Sequence, residues 1–161
     1  MPHMNPRSLL RSTRSPRTGS TTVEFALVLP VLMVLLFGIV EFGLIFKDVL
    51  AINQAAREGA RAAAVGSTTS TITARVTASA TTLKTANITT TSTYRTLTNG
   101  TWSSWTTLSD SADANAAPSG AQVKVAISYP HTLVTGGLFS RIADPNTNRI
   151  TLNTSMVMRR E

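Results

Sequence analysis

Glu24 stands five residues after Gly19, at the entrance to a long apolar run, in the stretch RTGSTTVEFALVLP (residues 17–30). A carboxylate that enters hydrocarbon without a partner costs several kcal/mol, so its position there demands a chemical reason. One reason is an amine. Cutting the chain after Gly19 frees the α-amino group of Ser20, a new positive charge close to Glu24 on the same helix. Between chains, Glu24 of one subunit neutralises the amine of its neighbour and sets the axial register between them. The other reason is water: a Glu at the bilayer surface can snorkel to the aqueous side. The spacing alone leaves both open.

Elsewhere the reactive residue types do not gather. His3 lies in the N-terminal tail, and His131 follows Pro130 with no acidic or thiol group near it in sequence. There is no cysteine, which excludes a disulfide framework, a thiolate metal site and a cysteine nucleophile. No His, Asp or Glu cluster has metal-ligand spacing, and no Gly-rich phosphate loop opens a helix. Asp110 and Asp113 share a Ser-rich loop, where they read as solvated turn residues, a weak calcium contact being the alternative. An enzyme is not expected, and neither is a cofactor.

The charge distribution points to a membrane instead. Of 15 basic residues, Arg7, Arg11, Arg14 and Arg17 precede the apolar run with no acidic residue among them. Taking away those four leaves 11 basic against 8 acidic residues, scattered and without the basic stripe that nucleic acid requires. From Phe25 to Phe46 the chain reads FALVLPVLMVLLFGIVEFGLIF, a run of about 33 Å as a helix, close to the thickness of a bilayer core. Arginines before it and a lone Lys47 after it predict a single-pass span of the cytoplasmic membrane, with a cytoplasmic N-terminus and an extracytoplasmic C-terminal domain. The run is too long for the core of a cleaved secretory signal.

A basic, polar leader that ends in Gly and has Glu as the fifth residue after it is the pattern that prepilin peptidases cut. The segment that follows resembles the TadE-like family, the minor pseudopilins of the Tad (tight adherence) pilus machinery. The resemblance is carried by Glu24-Phe25-Ala26-Leu27, Leu29-Pro30, Gly38-Ile39-Val40-Glu41-Phe42-Gly43 and Ala55-Ala56-Arg57-Glu58-Gly59-Ala60-Arg61, and covers residues 19–66. It implies cleavage between Gly19 and Ser20, with Glu24 as the fifth residue of the cut chain, and action in assembling Flp-type pili; the charge pairing described above is what gives Glu24 a role in subunit assembly. The implied partners are a prepilin peptidase, other pilins or pseudopilins, the pilus assembly platform and the lipid bilayer, with no nucleic acid.

Three further positions bear on the helix. Pro30 removes a backbone hydrogen bond, so a kink or local loosening is expected. Glu41 interrupts the apolar run near its outer end and is expected to reach headgroups or water, contact with another subunit being the alternative. After Lys47 the helix should continue through DVLAINQAAREGARAAAVG, with Ile52, Ala55 or Ala56, Gly59 and Ala63 forming a narrow face of small side chains. Gly59 costs helix propensity, so it suits close approach of another backbone, from the chain's own sheet or from another subunit.

The expected organisation is a basic leader (1–19), a transmembrane and extended helix (20–66), and a Thr/Ser-rich domain (67–161). The fold class is α+β, a long N-terminal helix with a small antiparallel sheet, as in pilins. Ile72, Val76 and Leu83 suggest a second short helix. Asn99-Gly100 predicts a two-residue type I′ hairpin. Residues 109–120 read as a loop. VKVAISY alternates, with Val123, Val125, Ile127 and Tyr129 on one face; Pro130 is expected to end that strand, and residues 150–158 form the last one. Trp102 and Trp105, three apart, cannot both face the core of a regular strand. An exposed aromatic pair there would suit the alternative function, an uncleaved single-pass anchor presenting an extracellular binding or adhesion domain.

Overall fold

A computed structural model of the chain describes residues 17–136, 144 and 146–161. The leader before Arg17 and the turn signals at Gly137 and Pro145 lie outside them. The chain divides after Gly38 into two compact units. The described part of the first is helical, and every side chain from Thr21 to Phe37 is exposed.

Helix α1 runs over Arg17–Ala64 and takes in Pro30 without a break. Its sequence supplies the reason for its length: Leu, Val, Met and Ala fill it, and no Gly-Pro or Asx-Gly pair interrupts it. It ends in a Schellman turn. Gly66 takes the left-handed conformation (φ +90°), its N–H donates to Ala63 O, and Ser67 N–H donates to Ala62 O. Asn115 closes the same helix end from a distance, its Nδ2 donating to Ala63 O at 2.9 Å and to Ser67 O at 3.0 Å.

The second unit, Ile39–Glu161, is the folded domain. The expected second helix is present as α2, Thr69–Ser79, with Ile72 and Val76 buried; Leu83 is buried too but lies beyond the helix end. Thr68 is its N-cap and accepts a bond from Thr71 N–H. Asp110 adds to that end, accepting from Thr69 N–H at 2.7 Å and Thr69 Oγ1 at 2.6 Å.

The strands are β1 (Thr89–Arg95), β2 (Leu97–Thr98), β3 (Thr101–Trp102), β4 (Thr106–Thr107), β5 (Asp110–Ser111), β6 (Ala114–Asn115), β7 (Gln122–Thr132) and β8 (Arg149–Arg159). Four of them form an antiparallel sheet in the order β4-β1-β7-β8. β2 and β3 form the expected hairpin about Asn99 (φ 52°) and Gly100 (φ 78°), the two positive angles that a type I′ turn requires. Residues 109–120 are more ordered than a loop, because β5 and β6 pair across Ala112.

The strand expected to stop at Pro130 goes on to Thr132. β1 reaches only as far as Ser128, so past that point β7 has β8 alone beside it. A proline there deprives no second neighbour of a ladder bond. The alternation therefore runs two residues further, and the inward set becomes Val123, Val125, Ile127, Tyr129 and His131, all buried.

This face packs on the C-terminal half of α1. Ile52, Ala55, Ala56, Ala60 and Ala63 are buried in one core with Ile72, Val76, Val123, Val125, Ile127 and Leu152. The small side chains let the helix approach closely. A Cβ on Gly59 would lie 2.5 Å from Val76 Cγ2 and 3.2 Å from Val125 Cγ1, so the glycine is needed for contact with the chain's own α2 and β7.

Candidate functional site

Two turns of α1 separate Glu41 from Asp48, which places both carboxylates on one side of the helix. It is the side facing the sheet, for Asp48 is one turn before Ile52, where the buried stripe begins. Burying acids is costly unless donors meet them, and the end of β7 supplies those donors. His131 Nδ1 lies 2.7 Å from Asp48 Oδ2. Val134 N–H donates to Glu41 Oε1 at 3.0 Å, while Thr135 N–H (3.0 Å) and Thr135 Oγ1 (2.8 Å) donate to Oε2. The other ring nitrogen, His131 Nε2, sits 3.6 Å from Glu41 Oε1, beyond hydrogen-bond reach.

Glu41 therefore does not reach out to headgroups or water. It is 3% exposed and anchors the segment leaving β7 to the helix. A backbone N–H pair and a hydroxyl aimed at one carboxylate is a structural clasp, with two turns of the helix on one side and residues 131–135 on the other. Lys47 Nζ lies 3.4 Å from Asp48 Oδ1 at the exposed rim. Asp48 and His131 were passed over by sequence reasoning, although both extend patterns that it found: the buried stripe of α1 read backwards, and the alternation of β7 read forwards.

Where the clasp begins, the uncovered helix ends. Residues 21–40 form a helical stretch of about 20 residues, or about 30 Å, the thickness of a hydrocarbon core. All of its described side chains are exposed except that Gly38 is half-buried. α1 is long and apolar enough to cross a membrane. Glu41 is then the first buried residue of the folded domain rather than an interruption of the span.

The other sequence candidates lie apart from the clasp. Gly19 and Ser20 are within the first turns of α1, Glu24 is exposed on it, and Pro30 is exposed at mid-span. Gly59 lies in the core, as described above. Trp102 and Trp105 are both half-buried, and the geometry of a single regular strand does not apply to them, since β3 ends at Trp102 and β4 starts after Trp105. Both indoles take the Arg95 guanidinium, at 5.0 and 4.6 Å from the ring centres, and Lys124 Nζ covers Trp105 at 4.3 Å. Arg95 is held in turn by Gln122, with Nε donating to Oε1 at 2.8 Å. Among the described residues no group of three or more His, Cys, Asp and Glu is arranged to hold a metal ion.

The family model described as TadE-like protein matches residues 19–61, from the glycine of the cleavage pattern to the arginine that closes the last quoted motif. This bears out the resemblance read in the sequence, over the helix that carries it. It associates the chain with the Tad pilus and its assembly components in general. No curated protein and no solved structure matches the chain.

Proposed function

We propose that this chain, TadE-like over residues 19–61, is a membrane-anchored pseudopilin that acts in assembling a Tad/Flp-type pilus or a pilus-like secretion machine. A prepilin peptidase cuts it between Gly19 and Ser20. The freed amine of Ser20 then pairs with Glu24 of an adjacent subunit, in the apolar interior of a helix bundle. Its role is structural and not catalytic: the cut subunit starts or caps a filament, or forms part of a piston. The N-terminus lies in the cytoplasm and the sheet domain outside.

One observation carries this reading most heavily. The family match begins at the very glycine that a basic leader and a Glu five residues later single out, and it continues along an uncovered apolar helix. The alternative, an uncleaved anchor presenting an adhesive domain, loses its main support in the sheet domain. Its two tryptophans are covered by Arg95 and Lys124.

The test is the intact mass of the chain extracted from membranes of cells with and without the prepilin peptidase. A start at Ser20 that requires the peptidase is expected. An intact leader in both strains overturns the reading and leaves the anchored binding domain.

A further inference from the structure

A cavity of 270 Å³ opens in the folded domain beside residues 44–48 of α1, and the clasp residues Asp48, His131 and Val134 form part of its wall. Lys47, Lys84 and Arg149 line it, together with Asn87, Thr132 and Leu44. These cations come from three distant parts of the sequence: the helix just after the apolar run, the segment following α2, and the first residue of β8. The fold thus gathers positive charge at one place, which an ordinary solvated helix face with i,i+4 pairs does not require.

The acid in the lining is Asp48, and it is already engaged by His131 Nδ1 and Lys47. Among the described residues Lys84 and Arg149 form no salt bridge, and both side chains are exposed at the cavity mouth. The cavity is therefore a cationic recess with neutral hydrogen-bonding groups on Asn87 and Thr132 and an apolar wall at Leu44. An arginine fork and two ammonium groups match the oxygens of a phosphate.

Its height along the helix identifies the source of that phosphate. The protein-free span ends at residue 40 and the apolar run at Phe46, so Leu44, Lys47 and Asp48 stand where a bilayer's headgroups begin. Phe42 and Phe46, one turn apart, remain exposed at 65% and 63%, as apolar side chains at the boundary between hydrocarbon and headgroups would be. We propose that the cavity binds the headgroup phosphate of an anionic phospholipid, in the leaflet from which the domain emerges. The proposal rests on the membrane span alone and requires neither cleavage at Gly19 nor entry into a filament.

The experiment uses the full chain in phosphatidylcholine bilayer discs, with and without phosphatidylglycerol, and counts retained lipids by native mass spectrometry. The chain is expected to retain phosphatidylglycerol selectively. Lys84→Gln with Arg149→Gln should lower that retention about thirtyfold, as removal of two basic groups beside a charged surface implies, with the unfolding midpoint unchanged. Lys124→Gln, on the opposite face of the sheet, should leave it intact. No selectivity in the unaltered chain overturns the proposal, as does an equal loss with Lys124→Gln, which would mean general surface charge. Inorganic phosphate displacing phosphatidylglycerol at equal concentration would also overturn it, in favour of a soluble anion.

Discussion

Glu24 and Glu41 lie on one continuous helix, share one chemistry and meet opposite surroundings. Glu41 is 3% exposed and accepts three hydrogen bonds from Val134 and Thr135 of its own domain. Glu24 is exposed, on a stretch where Val23, Phe25, Leu27 and Val28 are exposed as well. The difference separates a carboxylate used to build the folded domain from one that, in the function proposed above, lies on the surface that subunits offer one another. Nothing in the side chains distinguishes them; the distance from Gly19 on one side and from β7 on the other does.

Variants at the two sites should therefore fail in different ways. Glu24→Gln removes the charge that our reading pairs with a neighbour's amine, which is worth several kcal/mol in an apolar bundle. Filament-associated subunit should fall about a hundredfold in sheared surface fractions, with the domain's unfolding midpoint unchanged. Assembly at the normal level would merge the two carboxylates into one class. Glu41→Ala should act first on folding: it strands two part-buried N–H groups and a hydroxyl, at a cost of about 3 kcal/mol in denaturant unfolding. Hydrogen exchange at Val134 and Thr135 should accelerate in step. Unchanged stability would mean that the clasp is dispensable.

Smaller effects sharpen the boundary of the domain. Gly59→Ala gains helix propensity but drives a methyl into Val76, so a net loss of about 1–2 kcal/mol is expected. Adding Val76→Ala should recover part of that loss. If Gly59→Ala is instead neutral to folding and damaging to assembly, Gly59 belongs with Glu24 and not with Glu41. Trp105→Ala should cost the domain about 1 kcal/mol, from the cations stacked on the ring. Urea titration of the detergent-solubilised chain reads both.

What the sequence made legible was local. The period-two pattern from Val123 to Tyr129 survives in the burial of β7, because one face lies on α1 and the other does not. Asn99-Gly100 could be read because a type I′ turn needs two positive φ angles that few residue pairs tolerate. The clasp was half-written in the same patterns. His131 is the next inward residue of β7, hidden by treating Pro130 as a terminator, which an edge position does not require. Glu41 and Asp48 extend the buried stripe of α1, hidden because a carboxylate near an apolar run is first assigned to the membrane surface. Asn115 was beyond reach: its bonds to Ala63 and Ser67 depend on a long-range closure with no local signature.

The contrast between the two carboxylates comes down to whether Glu24 meets the amine of a different chain. Zero-length carbodiimide coupling in intact membranes joins an amine to a carboxylate only in direct contact, and peptide mass spectrometry then locates the bond. We expect a species of two chains linked from the Ser20 α-amine to Glu24, lost on Glu24→Gln, lost without the prepilin peptidase and retained on Glu41→Gln. A cleaved chain that gives no such link between subunits, while other subunit contacts in the same membranes do couple, would contradict it.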